Sequence, residues 1–244
     1  MKIIATIEAR MTSSRLPGKV LLPAAGKPML EHLVNRLKSV QSLSTIVLAT
    51  TTNITDDVLV DFAKSQDIEC FRGSEDDVMS RVINAARANS ADVVVEITGD
   101  CPVVDPQIIE QAIQIFLANS AEYVSNVQVR SYPDGMDTQV FWLSALEKSA
   151  ALTDDPLDRE HVTLHIRNHP EIFSQLNIVA PPSCHWPGLG LVLDEIDDYK
   201  LLKKIIEHFA TYNPLFGCSD IISLIKNQPE LISINNHVKR KGDT

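Results

Sequence analysis

The 244-residue chain has only nine glycines, and none is spaced for a phosphate-binding fingerprint. Pro17-Gly18-Lys19 runs into Val20 with no glycine at the required upstream position, so the strand–Gly–Lys–Ser/Thr loop of the P-loop enzymes is absent. Gly188-Leu189-Gly190 lacks the third glycine of a dinucleotide site. Cysteine is equally sparse. Cys70, Cys101, Cys184 and Cys218 form no Cys-x-x-Cys pair, which excludes a zinc ribbon and points to free thiols, Cys101 being the one placed to line a site. No apolar run reaches the roughly 18 residues of a membrane span. The start, Met1-Lys2-Ile3-Ile4, enters a strand without a cleavage pattern, so a cytoplasmic protein with no membrane partner is expected. Basic charge is also short. With 22 basic against 32 acidic residues the net charge is −10, which argues against a general nucleic-acid binder but leaves room for a nucleotide bound by a local cationic cluster. No Gly-x-Ser-x-Gly elbow and no His-Glu-x-x-His run occur.

What is present is a β-α-β-α rhythm. Apolar strand patterns at 2–8, 45–50, 68–71 and 92–97 alternate with helical patterns near 28–40, 55–66 and 76–89. That order predicts an α/β domain with a mostly parallel sheet covered on both faces. Asp105-Pro106 opens a further helix, Asp as cap and Pro in the first turn. The rhythm changes after residue 122. Extended pieces are expected over 122–143 and 173–179, with a helix over 158–168, so 122–180 reads as a small excursion within a single domain spanning 1–244. The parallel pattern returns as a strand at Leu189–Leu193, followed by helices near 197–211 and 218–227. The basic tail from Lys239 is expected to fray.

Chemistry concentrates beyond the first strand. Residues 9–19 hold three cations, Arg10, Arg15 and Lys19, and three hydroxyls, Thr12, Ser13 and Ser14. Ligands of open α/β sheets bind at the carboxyl ends of strands, where fixed cations and hydroxyl donors suit a polyphosphate. Asp100 ends the buried-strand pattern Val93–Ile97 and is placed to hold a divalent cation against phosphate. A turn residue is the alternative. Asp194 ends Leu191-Val192-Leu193 in the same way, with a helix cap as its alternative. Tyr132-Pro133-Asp134-Gly135-Met136-Asp137 is a tight turn whose phenol and carboxylates could contact a polyhydroxylated ligand. His161, His165 and His169 fall four apart on one face of the expected helix. With no adjoining carboxylate motif, a histidine-lined face is favoured over a metal site.

Taken together, Ala9–Leu21 with Gly26–His32, Arg72–Val78, Thr98–Pro102, Tyr132–Gly135, Arg159–Thr163 and Asn213–Phe216 resemble, in order and over nearly the whole chain, the cytidylyltransferase superfamily. That group includes the CMP-N-acylneuraminate synthetases and the 3-deoxy-manno-octulosonate cytidylyltransferases. The resemblance is closest to the branch named for spore coat polysaccharide biosynthesis protein F. It implies a three-layer α/β/α, Rossmann-like nucleotidyltransferase fold. It implies that a sugar hydroxyl attacks the α-phosphorus of CTP, releasing pyrophosphate and forming a CMP-sugar for surface polysaccharide synthesis. By this similarity Arg10, Lys19 and Asp100 are the catalytic residues. The nucleotide is met by Ala9, Arg10, Ser13, Arg15 and Lys19, with Arg72, Ser74, Asp77 and Asp100. Tyr132, Asp134, Asp137, Arg159 and His161 face a small acidic sugar of nonulosonic or octulosonic type. Asp100 and Asp194 hold Mg²⁺. Family members dimerise through a middle segment, so a homodimer built on 122–180 is expected, the apolar strip Gln139–Leu143 contributing to its surface.

Four positions depart from the family pattern. Glu8 stands where Gln is usual, Thr12 replaces Gly, Gln139 replaces Glu, and Gly190 stands where a cation is usual. An acidic Glu8 beside a triphosphate would repel it unless turned away. These departures keep two further readings open: a non-catalytic or partner-dependent nucleotide- or sugar-binding protein, and a sugar-1-phosphate nucleotidyltransferase using another nucleotide.

Overall fold

Ile3, Ala5 and Ile7 face one side of the first strand and Ile4 the other, and both sides are buried. This is the signature of a strand covered on two faces. In the computed structural model, which describes residues 1–239, β1 (Ile3–Glu8) is central to a seven-stranded sheet. A short two-stranded ribbon, β2 (Pro23–Ala24) and β3 (Lys27–Pro28), leads into α1 (Met29–Lys38). Then come β4 (Thr45–Thr51), α2 (Asp57–Ser65), β5 (Glu69–Gly73), α3 (Val78–Ala88), β6 (Val93–Thr98) and α4 (Pro106–Ala118). Asp105 caps α4 through the Gln107 N–H at 2.8 Å, as its sequence predicts.

The middle of the chain supplies β7 (Tyr123–Ser125), β8 (Gln139–Trp142), α5 (Leu143–Leu152), α6 (Pro156–Glu160), α7 (Leu164–Asn168) and β9 (Gln175–Asn177). The chain closes with α8 (Ile196–Phe209) and α9 (Cys218–Asn227). Strand order is β5-β4-β1-β6-β8-β7-β9. The first four strands are parallel, β8 runs antiparallel to β6 and β7, and β9 is parallel to β7. Helices α1, α2, α4, α8 and α9 cover one face, and α3, α5 and α7 the other. The expected three-layer α/β/α architecture is present. No helix among the described residues is long and apolar enough to cross a membrane.

Three expectations need correction. Residues 122–180 do not leave the sheet; they complete it. Val140, Phe141 and Leu143, read as an exposed apolar strip, are buried in the chain's own cores because β8 is clamped between β6 and β7. Leu189–Leu193 is extended but forms no strand, joining the turn at Asp134 through a single bridge to Gly190. The helix expected over 158–168 breaks at Val162, whose φ of 40° ends helical geometry and separates α6 from α7. His161, His165 and His169 therefore do not share one helix face. His165 is buried against His169, their ring centroids 4.4 Å apart. The tail expected to fray lies, from Arg240 onward, outside the described residues.

Candidate active site

The loop after β1 and the turn after β6 meet at the carboxyl end of the sheet. A Cβ added at Gly99 would lie 2.8 Å from Ala9 Cβ and 2.9 Å from the Glu8 carbonyl oxygen, so only glycine permits this approach. Lys19 opens a short 3-10 turn (Lys19–Leu21) preceded by Gly18 with φ 70°, which turns the chain back toward the sheet. Its ammonium donates to Asp100 Oδ2 at 2.9 Å and to Asp194 Oδ1 at 3.0 Å. Arg15 holds the other Asp194 oxygen at 2.7 Å. Four of the predicted residues, brought from three distant parts of the chain, thus form one cluster.

The electrostatics of the cluster are mutual. Burial alone would push the Asp100 carboxyl up, but the Lys19 charge and the hydrogen bonds from Lys19 and Thr98 hold it below the usual carboxylate range. Burial alone would push Lys19 down, yet Asp100 and Asp194 keep it above the usual ammonium range. The Asp100 carboxylate stays ionised at neutral pH. The frame is backbone-built. Leu193 N–H donates to the Asp100 carbonyl at 2.8 Å, and Asp134 exchanges backbone bonds with Leu189 and Leu191 at 2.9 and 2.8 Å. Gly135, with φ 99°, makes this crossing possible, because a Cβ there would strike the Leu191 carbonyl at 2.7 Å. Asp198 accepts from the Asp194 and Glu195 N–H groups and fixes the start of α8.

Arg10 takes a different partner. It donates to Glu75 Oε1 at 2.9 Å, and the same oxygen accepts from Thr12 at 2.7 Å. Asn53 donates to Oε2 at 2.6 Å. Thr12, the residue standing in place of glycine, is therefore engaged at its side chain. Beneath it, fully buried Asp56 accepts from the Met11 N–H at 2.8 Å and from the hydroxyls of Thr50 and Thr51, tying the loop to the end of β4.

These walls enclose a cleft of about 870 Å³, within the range of small-molecule sites. A smaller hollow of about 290 Å³ lies at the amino ends of β4 and β5, away from the cationic loop. Of the residues expected at the nucleotide, Ala9, Arg10, Ser13, Arg15, Lys19, Asp77 and Asp100 line the cleft. Arg72 does not; it is bound to the Thr51 and Asn53 carbonyls and to Asp57. Ser74 does not either, its hydroxyl accepting from the Asp77 N–H at the head of α3. Of the residues expected at the sugar, Asp134, Asp137, Arg159 and His161 line the cleft. Tyr132 is in the core, where burial pushes its phenol up to about 12.

The deep floor was not foreseen. Glu96, Arg81 and Arg167 line it together with Glu8 and Gln139. Glu8 is turned into the sheet's second face rather than toward the phosphate loop, and neither of its oxygens has a hydrogen-bond partner. A polar residue within the apolar run Val93–Ile97 was the available signal for Glu96. Nothing local in the sequence marks Arg81 or Arg167.

Asp100 and Asp194 are the donors able to hold a divalent cation. Their carboxylates already converge on one positive charge, and both are hard oxygen ligands of the kind magnesium takes. No group of three His, Cys, Asp or Glu side chains among the described residues is arranged for a metal ion, so the remaining ligands would come from phosphate and water.

Comparison with known proteins agrees with this geometry. Residues 4–226 match the family model described as cytidylyltransferase. The chain is 32% identical over 235 residues to the spore coat polysaccharide biosynthesis protein of Bacillus subtilis, covering 93% of this chain and 95% of that one. It is 36% identical over 121 residues to the 3-deoxy-manno-octulosonate cytidylyltransferase of Trichlorobacter lovleyi, about half of each protein (49% and 46%). The solved structure of a cytidylyltransferase from Leptospira borgpetersenii superposes with a TM-score of 0.90 at 34% identity, covering 95% of this chain and 97% of that one.

Proposed function

The chain belongs to the cytidylyltransferase family, a class of nucleotidyltransferases, and from that premise we propose that it transfers CMP from CTP to a hydroxyl of an acidic sugar of octulosonic or nonulosonic type. The observation that carries this reading is the convergence of Lys19 and Arg15 on Asp100 and Asp194 at the mouth of a cleft otherwise lined by sugar-compatible polar groups.

In this reaction the sugar oxygen bonds to the α-phosphorus and releases its proton. The bond from that phosphorus to the bridging oxygen breaks, and the electron pair leaves with pyrophosphate. No protein nucleophile is needed, so the task is alignment and charge stabilisation. Arg15, Lys19 and the Ser13 hydroxyl supply fixed donors to the triphosphate. Arg10 adds a further cation on release from Glu75. Asp100 and Asp194 would hold Mg²⁺, which when bound neutralises phosphate charge. Lys19, held between the two carboxylates, would donate to phosphate oxygens beside them. The half-length similarity to an octulosonate cytidylyltransferase supports the acceptor class.

A thermal-shift screen of the four nucleoside triphosphates with magnesium tests the reading, followed by pyrophosphate release with 3-deoxy-manno-octulosonate and N-acetylneuraminate. Selective stabilisation by CTP and release with either acid are expected. Equal stabilisation by all four triphosphates would overturn the nucleotide assignment. CTP binding without release would favour a binding protein.

A further inference from the structure

Behind the phosphate loop the cleft runs across the second face of the sheet. Glu8 of β1, Glu96 of β6 and Gln139 of β8 project from that face on three adjacent strands, in a register that pairs Glu8 with Thr98 and Glu96 with both Thr6 and Gln139. Arg81 from α3 and Arg167 from α7 complete the enclosure.

Its hydrogen-bond inventory does not close. Gln139 is held at both ends: its Oε1 accepts from the hydroxyls of Tyr123 and Thr163, and its Nε2 donates to Glu96 Oε2 at 2.8 Å. Both oxygens of Glu8 are shut from solvent and lack a partner. The Nε atoms of Arg81 and Arg167 are buried and lack an acceptor. Arg81 as a whole is only 3% exposed, and its remaining bonds run to the backbone carbonyls of Ser74 and Glu75. Buried polar groups are rarely left open in this way unless something else satisfies them.

The arrangement specifies what would. The ligand must donate to carboxylates and accept from guanidinium groups within a few ångströms. A chain of vicinal hydroxyls does both with every atom pair, since each hydroxyl is donor and acceptor. Triphosphate oxygens have no proton to give and satisfy only the guanidinium groups. Resting on the CMP-transfer reading above, we propose that Glu8, Glu96, Arg81 and Arg167 form the subsite that recognises the polyhydroxylated chain of the acceptor sugar, with Gln139 orienting Glu96. The two glutamates are specificity-determining groups. They hold the sugar deep in the cleft so that its reacting hydroxyl lies toward Lys19 and Asp100. The Gln-to-Glu departure at position 8 then belongs to acceptor choice, not to the nucleotide.

The test uses the full chain. CTP affinity is measured by calorimetry for the parent, Glu8→Gln and Glu96→Gln, and acceptor kinetics by pyrophosphate release with 3-deoxy-manno-octulosonate and N-acetylneuraminate. Each variant should raise the acceptor KM by about tenfold, the loss of one well-made hydrogen bond, with CTP affinity changed less than about twofold. Retained CTP affinity also reports that the variants fold. An unchanged acceptor KM overturns the subsite. A parallel loss of CTP affinity assigns the floor to the nucleotide and overturns it as well. If the parent binds CTP but turns over neither acid, the acceptor class and the subsite fall together. If the parent does not bind CTP, the transfer reading itself fails.

Discussion

Arg10 donates to Glu75 at 2.9 Å and is thereby held on the β5–α3 side of the cleft, while Lys19 sits between the aspartates. A triphosphate that recruits Arg10 must take it from this carboxylate. The pair is part-exposed, and such pairs are worth at most about 1 kcal/mol. The competition is therefore mild. Glu75→Gln keeps the oxygen that Thr12 bonds while removing the charge. It should tighten CTP roughly twofold to fivefold at low salt, and CMP less. Calorimetry with both nucleotides checks this. A loss of CTP affinity would mean that Glu75 serves to place the loop.

Asp100 carries the opposite expectation. Asp100→Asn keeps the shape of the side chain but removes the charge that Lys19 and a bound cation need. Pyrophosphate release should fall at least about a hundredfold, as for loss of a transition-state charge contact. The thermal midpoint should change little, because Lys19 retains Asp194. Assay across a magnesium series decides the role. Near-parent turnover at limiting magnesium would remove Asp100 from the metal.

Most of the sheet was legible because β1, β4 and β6 are buried on both faces and read as mostly apolar runs. The phosphate loop was legible because its three cations fall within ten residues of one another in the sequence. The segment 122–180 was misread for a physical reason. Its strands β7 and β9 are three residues each, too short to show a period, and their pairing depends on partners distant in the chain. Glu75 and Asp56 escaped because each acts through a contact 45 to 65 residues away along the chain. Tyr132 was assigned to the sugar by motif alone, and packing put it in the core.

We propose that the chain pairs as a homodimer through 122–180, though not through the strip that first suggested it. Val140 and Phe141 are inside, whereas Val129, Leu152, Leu157 and Val179 are each at least half exposed. Burying such side chains across a two-fold axis is the ordinary route to a closed dimer. Light scattering should give about twice the 27.0 kDa chain mass at micromolar concentration. Leu157→Asp and Val179→Asp should shift the distribution toward the monomer. A monomeric parent with full turnover would remove the dimer from the mechanism.

The last expectation concerns stability and follows from Glu8. Burial pushes its carboxyl up to about 7; the Thr6 hydroxyl, close by but outside hydrogen-bond geometry, and the Arg81 guanidinium pull it partly back, while Asp100 adds a small push upward. Glu96, also buried, is pushed up by the same cause, with Glu8 and Asp137 raising it further and Arg167 opposing them. In the unfolded chain Glu8 titrates near 4.5. Between that pH and about 7 the folded chain binds more protons than the unfolded one. Its stability therefore falls as pH rises through this window, the reverse of a salt-bridged carboxylate. Glu8→Gln removes this group's share of the loss. It should match the parent near pH 4.5 and exceed it at pH 8 by up to a few kcal/mol, the size expected for a carboxyl shifted this far. Urea unfolding of both proteins at pH 4.5, 6 and 8 measures the difference. A gap that is constant across the three values would show that Glu8 is ionised throughout and paired in the folded chain, and the floor would then have one fewer open partner for a sugar.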